Sequence, residues 1–129
     1  MTFPALTATE TELGLIPISA DALHSYIAAV DDQSSLSTKG LVPATALAAW
    51  CLARLIERMG LPAGTLHGTQ EIESLRTVHV GETLACTAKL GGRSQRAGWE
   101  FTTADFALRD AAGATVLRGR SMVMQRTAA

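Results

Sequence analysis

Apolar positions recur at helical spacing in the first half of the chain and alternate in the second. Leu23, Tyr26, Ile27 and Val30 follow a 3.6-residue period. Ser19 stands where a helix is capped, and Asp21 falls in the first turn, where the dipole favours an acid. A short amphipathic helix is therefore expected over about residues 20–30. Asp31-Asp32-Gln33-Ser34-Ser35 ends it, because short polar side chains compete for backbone hydrogen bonds. Residues 31–42 read as a polar loop. Pro43 then occupies the first position of a second helix, Ala44–Met59. Leu47, Trp50, Leu55 and Met59 form a stripe that Ala46, Ala48, Ala49 and Ala53 widen. A helix apolar almost all round is expected to be buried, with a sheet close against its alanines. Gly60 ends it, Pro62 prevents its return, and its length is roughly 25 Å.

Beyond Gly64 the period changes to that of strands. Residues 66–80 read as one strand ending at Gly81-Glu82. In residues 83–90, Leu84, Cys86, Ala88 and Leu90 take one side, with Thr83, Thr87 and Lys89 on the other. A turn is expected from Gly91-Gly92 to about Gly98. Residues 99–109 and 115–125 are two further strands, separated by a turn at 110–113. Leu13, Leu15 and Ile18 suggest a short strand whose pairing Pro17 limits, and residues 1–10 read as a flexible tail. The four later strands are expected as an antiparallel meander. The fold class is α+β, one domain over residues 1–129, with a curved antiparallel sheet wrapped around one long central helix.

Composition narrows the function. With 129 residues, 47% apolar and 18% charged, the chain can bury a core and is not disordered. A net charge of -1 gives no overall basic field for nucleic acid, so no nucleic-acid partner is expected. The charge is uneven: residues 1–75 carry -5 and residues 76–129 carry +4. The basic half can meet a phosphorylated small molecule, but a solvated sheet face is the favoured reading. Cys51 and Cys86 lie in apolar segments and read as reduced core cysteines, which suits a cytoplasmic protein. No secretory signal and no membrane span are expected. The three histidines lack metal-ligand spacing, so neither metal nor cofactor is expected.

Particular motifs carry a resemblance. Gly40-Leu41-Val42-Pro43-Ala44-Thr45, entering the long helix, resembles the GxxxPxT entry of MaoC-like hydratase domains with one residue fewer between glycine and proline. Leu66-His67-Gly68-Thr69-Gln70-Glu71-Ile72-Glu73, followed by Val78-His79-Val80-Gly81-Glu82-Thr83-Leu84, is similar to that family's strand and its VxxGDTL turn. Gly113, Val116 and Gly119 look like its closing hairpin. The resemblance covers about residues 20–125 and implies the hotdog fold. It further implies dimers joined sheet edge to sheet edge, as a homodimer or a hetero-oligomer with another hotdog subunit. The implied ligand is an acyl thioester of coenzyme A or acyl carrier protein, held along the central helix. The implied reaction is hydration of a trans-2-enoyl thioester or the reverse dehydration, a lyase activity. In the family an Asp and a His five positions apart act on one water, a base taking its proton and an acid supplying one to the α-carbon.

This sequence departs from the family at that dyad. Five positions after Asp31 stands Leu36, five after Asp32 stands Ser37, and no histidine lies between His24 and His67. The candidate catalytic residues are Asp31, Asp32 and His67. Ser34, Ser35, Lys39, Gly40, Pro43 and Thr45 are candidates for binding the thioester, with backbone N–H groups at the helix start on its carbonyl. Arg93 and Arg96 are candidates for the phosphates of coenzyme A or the carrier's acidic helix. Bulky Trp50, Leu52 and Leu55 on the helix favour small acyl groups. Two alternatives stand beside the hydratase reading: a thioesterase in which Asp31 or a strand residue activates water, and a non-catalytic hotdog subunit or acyl-thioester sensor.

Overall fold

β1 (Thr11–Pro17) leads into α1 (Ala20–Val30), where Ser19 caps the helix by accepting from Ala22 N at its Oγ (3.1 Å) and from Leu23 N at its carbonyl. The computed structural model describes residues 7–30, 40–60 and 65–127. β2 (Leu41–Val42) precedes α2 (Ala44–Met59), and Gly60 closes that helix in the left-handed conformation, its N–H on Ile56 O. Five strands follow: β3 (Leu66–Ser74), β4 (Val78–His79), β5 (Thr83–Arg96), β6 (Trp99–Arg109) and β7 (Thr115–Arg126). The main sheet is antiparallel throughout, in the order β1-β5-β6-β7-β3, and β2 pairs with β4 in a separate two-stranded ladder.

Register sorts the side chains by face. Cys86, Leu108 and Leu117 are opposite one another, as are Ala88, Phe106 and Gly119. This apolar face forms one core with Ala46, Leu47, Cys51, Leu55 and Met59 of α2. Phe106 reaches over Gly119, and a Cβ there would lie 2.6 Å from Glu71 O besides meeting the Phe106 ring, so only glycine fits. The other face carries Lys89, Asp105, Arg120 and Glu71 in one row across β5, β6, β7 and β3. Its ion pairs include Arg120–Asp105 (2.7 Å), Arg118–Glu73 (2.5 Å) and Arg109–Glu10 (2.5 Å). The charge imbalance along the sequence therefore cancels in space: Glu10 and Glu73 from the acidic half meet arginines of the basic half. The basic half thus contributes Arg109, Arg118 and Arg120 to a charged, solvated sheet face.

Four expectations change. β5, β6 and β7 form a meander, but β3 does not neighbour β5. β1 occupies that flank, so residues 75–82 carry the chain three strand spacings, about 14 Å, across to the opposite side of the sheet. The strand expected over 66–80 is split into β3 and β4, because Val78–His79 turns away to pair with β2. Gly91-Gly92 makes no turn. β5 continues through it with a shift of register between Leu90 and Gly92, and a Cβ on Gly91 would press on the Asp105 carboxylate at 3.1 Å. The turn is Ala97-Gly98, both at positive φ, the signature of a two-residue hairpin loop. Finally, α2 is not covered all round: Thr45, Ala49, Ala53 and Ile56 line an exposed stripe. Of the expected tail, residues 1–6 lie outside the described residues, while Thr7 O accepts from Leu90 N and Glu10 pairs with Arg109.

Candidate functional site

The start of α2 holds three of the sequence candidates, Gly40, Pro43 and Thr45. Gly40, at φ +71, accepts from Val80 N through its carbonyl (2.9 Å). The next two residues pair with β4, Leu41 with His79 and Val42 with Val78. Pro43 is extended (φ -59, ψ 142), its carbonyl accepts from Ala46 N and Leu47 N, and among the described residues no side chain caps the helix. The first turn of α2 thus presents backbone N–H groups and the positive end of a 16-residue dipole. Thr45 accepts at Oγ1 from the Tyr26 hydroxyl (2.8 Å), and the Tyr26 ring stands edge-on to Trp50 at 6.3 Å. Tyr26 therefore locks α1 to the entry of α2. It is the chain's one tyrosine, and sequence reading placed it only in a core stripe.

A charged brace holds β4 in place. Glu82 accepts from His79 N (2.9 Å) and takes both Arg76 Nη atoms (2.7 and 3.2 Å), while Arg76 also reaches Asp110 (3.1 Å). Asp110 Oδ1 in turn accepts from Ala112 N and Ala114 N, closing the β6–β7 turn. The Arg76 guanidinium, then the His79 N–H, hold the Glu82 carboxyl below the ordinary range. The Ala114 N–H, then Arg76, do the same for Asp110. The glutamate of the Gly81-Glu82-Thr83-Leu84 turn is thus a structural tie between β4, β5 and the β6–β7 turn.

Gly40, Pro43 and Thr45 are brought together, and His79 joins them through its register with Leu41. Asp31, Asp32, Ser34, Ser35 and Lys39 lie outside the described residues. The backbone of His67 pairs with Val123 at the beginning of β3. About 23 Å of strand separates it from Ser74, the end from which the chain passes to β4 and the α2 entry. Arg93 and Arg96 fall on the far half of β5, opposite Thr102 and Trp99, with the Arg96 guanidinium 5.6 Å from the Phe101 ring. Within one chain they sit roughly 30–40 Å of strand from Thr83, where β5 leaves the site. A cavity of about 450 Å³ opens on the charged sheet face, among Glu71, Glu73, Lys89, Asp105, Arg118 and Arg120. Its walls are the ion pairs of that face together with Ile72, Phe106 and Gly119, and α2 does not line it, so it is no slot along the central helix. Among the described residues, no helix is long and apolar enough to cross a membrane.

No family model matches the chain, and no curated protein matches it. Solved structures do. The chain is similar to a monoamine oxidase regulatory protein from Archaeoglobus fulgius, with a TM-score of 0.79 and 11% identity over 100% of this chain and 96% of the other. It is similar to an (R)-hydratase from A. caviae involved in PHA biosynthesis (TM-score 0.73, 14% identity, 91% and 94% covered). It is also similar to the C-terminally truncated HadBC (3R-hydroxyacyl-ACP dehydratase) complex from Mycobacterium tuberculosis (TM-score 0.71, 12% identity, 93% and 97% covered). MaoC-like dehydratases are among the further matches, at 19% and 14% identity. Likeness at these identities establishes architecture: the chain has the hotdog fold.

Proposed function

We propose that this chain binds an acyl thioester of coenzyme A or acyl carrier protein, as a hotdog subunit of the MaoC-like hydratase/dehydratase type. We propose further that a second hotdog subunit supplies the histidine its own loop lacks. The observation that carries this reading is the start of α2, uncapped among the described residues and held beside Gly40 by the β2–β4 ladder and by the Tyr26–Thr45 hydrogen bond. Fixed N–H donors at a helix start stabilise the negative charge that develops on a thioester carbonyl when water adds to the conjugated double bond. Asp31, in the segment leading to Gly40, is the base in this reading, taking a proton from the water that attacks the β-carbon. The acid that protonates the α-carbon is then the missing group. The dehydratase and hydratase names of the similar structures, one of them a two-subunit complex, support the reading.

The partner's place is the free edge of β3. Gly68–Ser74 are exposed along an edge strand whose outer backbone groups are unpaired within the sheet. Edge pairing there extends the five-stranded sheet across two subunits. A cytoplasmic setting fits the two unbridged cysteines.

One assay tests the proposal. Purified chain is mixed with crotonyl-CoA while thermal stability, enoyl absorbance and free thiol are followed. The expected result is a rise in melting temperature that saturates with ligand, with neither hydration nor thiol release by the chain alone. Hydration abolished by Asp31→Asn and His79→Ala would replace the two-subunit reading with a complete single-chain hydratase, which the register of His79 against Leu41 would explain. Thiol release would identify a thioesterase. No stabilisation by short or medium acyl thioesters would overturn the assignment.

A further inference from the structure

Cys51 and Cys86 are the chain's two cysteines, 35 positions apart in sequence, and the fold places them in contact. Cys51 lies at the middle of α2 and Cys86 on the apolar face of β5, opposite Leu108 on one side and Gly14 on the other. Both are free thiols, 0% and 1% exposed, and their Sγ atoms are 2.8 Å apart. A disulfide bond measures about 2.05 Å, so bonding needs the two sulfurs to close by under an ångström. We propose that Cys51 and Cys86 are a redox modification site, which hydrogen peroxide converts to a disulfide that pins the central helix to the sheet.

The two sulfurs are chemically unequal. Cys86 shares a hydrogen bond with Cys51, and that bond, then the field of Arg54, holds the Cys86 thiol below the ordinary range. The same hydrogen bond, with burial, pushes the Cys51 thiol up. Arg54 is fixed by donating from Nη2 to Leu15 O (3.1 Å), and it passes over Gly14, where a Cβ would be 3.8 Å from Nη1. Cys86 is therefore the thiolate that attacks. Its sulfur takes one peroxide oxygen as the O–O bond breaks. The hydroxide that leaves picks up the proton Cys86 has given up, and Cys86 becomes a sulfenic acid. The Cys51 sulfur then displaces the second oxygen from Cys86, its own proton leaving with that oxygen as water. In sum, two thiols and one peroxide give one disulfide and two waters, with two electrons passing from sulfur to oxygen. Both residues are buried, so peroxide meets the sulfurs on local opening of the core, and a low-molecular-weight thiol reverses the bond by the same opening. The cross-link encloses the second half of α2 with β3 and β4, the part of the chain that reaches the far edge of the sheet.

The test uses the full chain. Native protein is exposed to millimolar hydrogen peroxide, quenched with catalase, unfolded in denaturant and alkylated, and its intact mass is read. The expected result is a fall from two alkylated thiols to none, a parent mass lower by two hydrogens, and a band that stays monomeric on a non-reducing gel. Dithiothreitol should restore both thiols. Thermal unfolding of the oxidised chain should shift up by roughly 10 °C, as closing a loop of this length predicts. Cys86→Ala should leave one alkylatable thiol and no shift. If that variant fails to fold, the wild-type thiol count and melting shift decide by themselves. Two thiols surviving treatment, oxygen added to one sulfur without loss of the other thiol, or a bond between chains would each overturn the proposal.

Discussion

Single atoms decide several features of this molecule. Gly119 is one: any side chain there enters the space of Phe106 and of the β3 backbone. Gly119→Ala is expected to destabilise the fold by about 2–3 kcal/mol, read as a shift in the denaturant midpoint at unchanged slope. A change below about 0.5 kcal/mol would show that the Phe106 ring swings away freely. The hydroxyl of Thr102 is the opposite case. The residue is 1% exposed on the apolar face of β6, and its Oγ1 has no hydrogen-bond partner among the described residues. A buried polar atom without a partner costs stability, so Thr102→Val should be neutral or stabilising by up to about 1 kcal/mol. A loss of more than that would reveal a water or ligand bound to the hydroxyl.

Among the elements, the β5–β6 hairpin holds a non-glycine residue at positive φ. Its loop places Ala97 at φ +55, a conformation that costs an L side chain about 1 kcal/mol and suits asparagine or glycine. Ala97→Asn creates the preferred Asn-Gly loop and is expected to stabilise by about 0.5–1 kcal/mol in thermal unfolding. An unchanged or lower melting temperature would count against a strained loop. The hairpin also explains why Gly91-Gly92 misleads. Two adjacent glycines signal a turn, but here they serve a bulge that lets the Asp105 carboxylate lie close against the backbone while Arg120 holds it. The real turn carries one glycine preceded by an alanine, a weaker signal.

For the whole molecule, charge ties the far parts of the sequence together, and acid should loosen those ties. Glu10 is held below the ordinary carboxylate range by Arg109, Glu82 by Arg76, and Asp110 by the Ala114 N–H and Arg76. A carboxyl whose folded pKa is depressed leaves the unfolded chain with more bound protons, so stability rises with pH through that region. The contribution is complete above the unfolded values near 4 and disappears as pH falls through the lowered folded ones. Stability measured between pH 7 and 3 should drop on the acid side, and Glu82→Gln should flatten that drop while lowering stability at pH 7. Superimposable acid limbs for the two proteins would remove Glu82 from the account.

What the sequence determined by itself is local. The caps at Ser19 and Gly60, the span of α2, and the alternation of Leu84, Cys86 and Ala88 are legible because each depends on neighbours a few positions away. The motif around Pro43 and the Gly81-Glu82-Thr83-Leu84 turn was enough to point to the hotdog fold. The missing loop histidine is also a plain fact of the sequence. What only the tertiary structure decided is long-range pairing. Nothing in residues 66–80 says that β3 joins β7, because either side of the sheet satisfies its backbone, and only the capture of the β5 flank by β1 settles the choice. The contact of Cys51 with Cys86, the bond from Tyr26 to Thr45 and the alignment of His79 with Leu41 follow from that packing. Their partners lie 19 to 38 residues apart, beyond the reach of any periodicity, and they meet because burying one apolar face of the sheet on one helix leaves each of them a single place to stand.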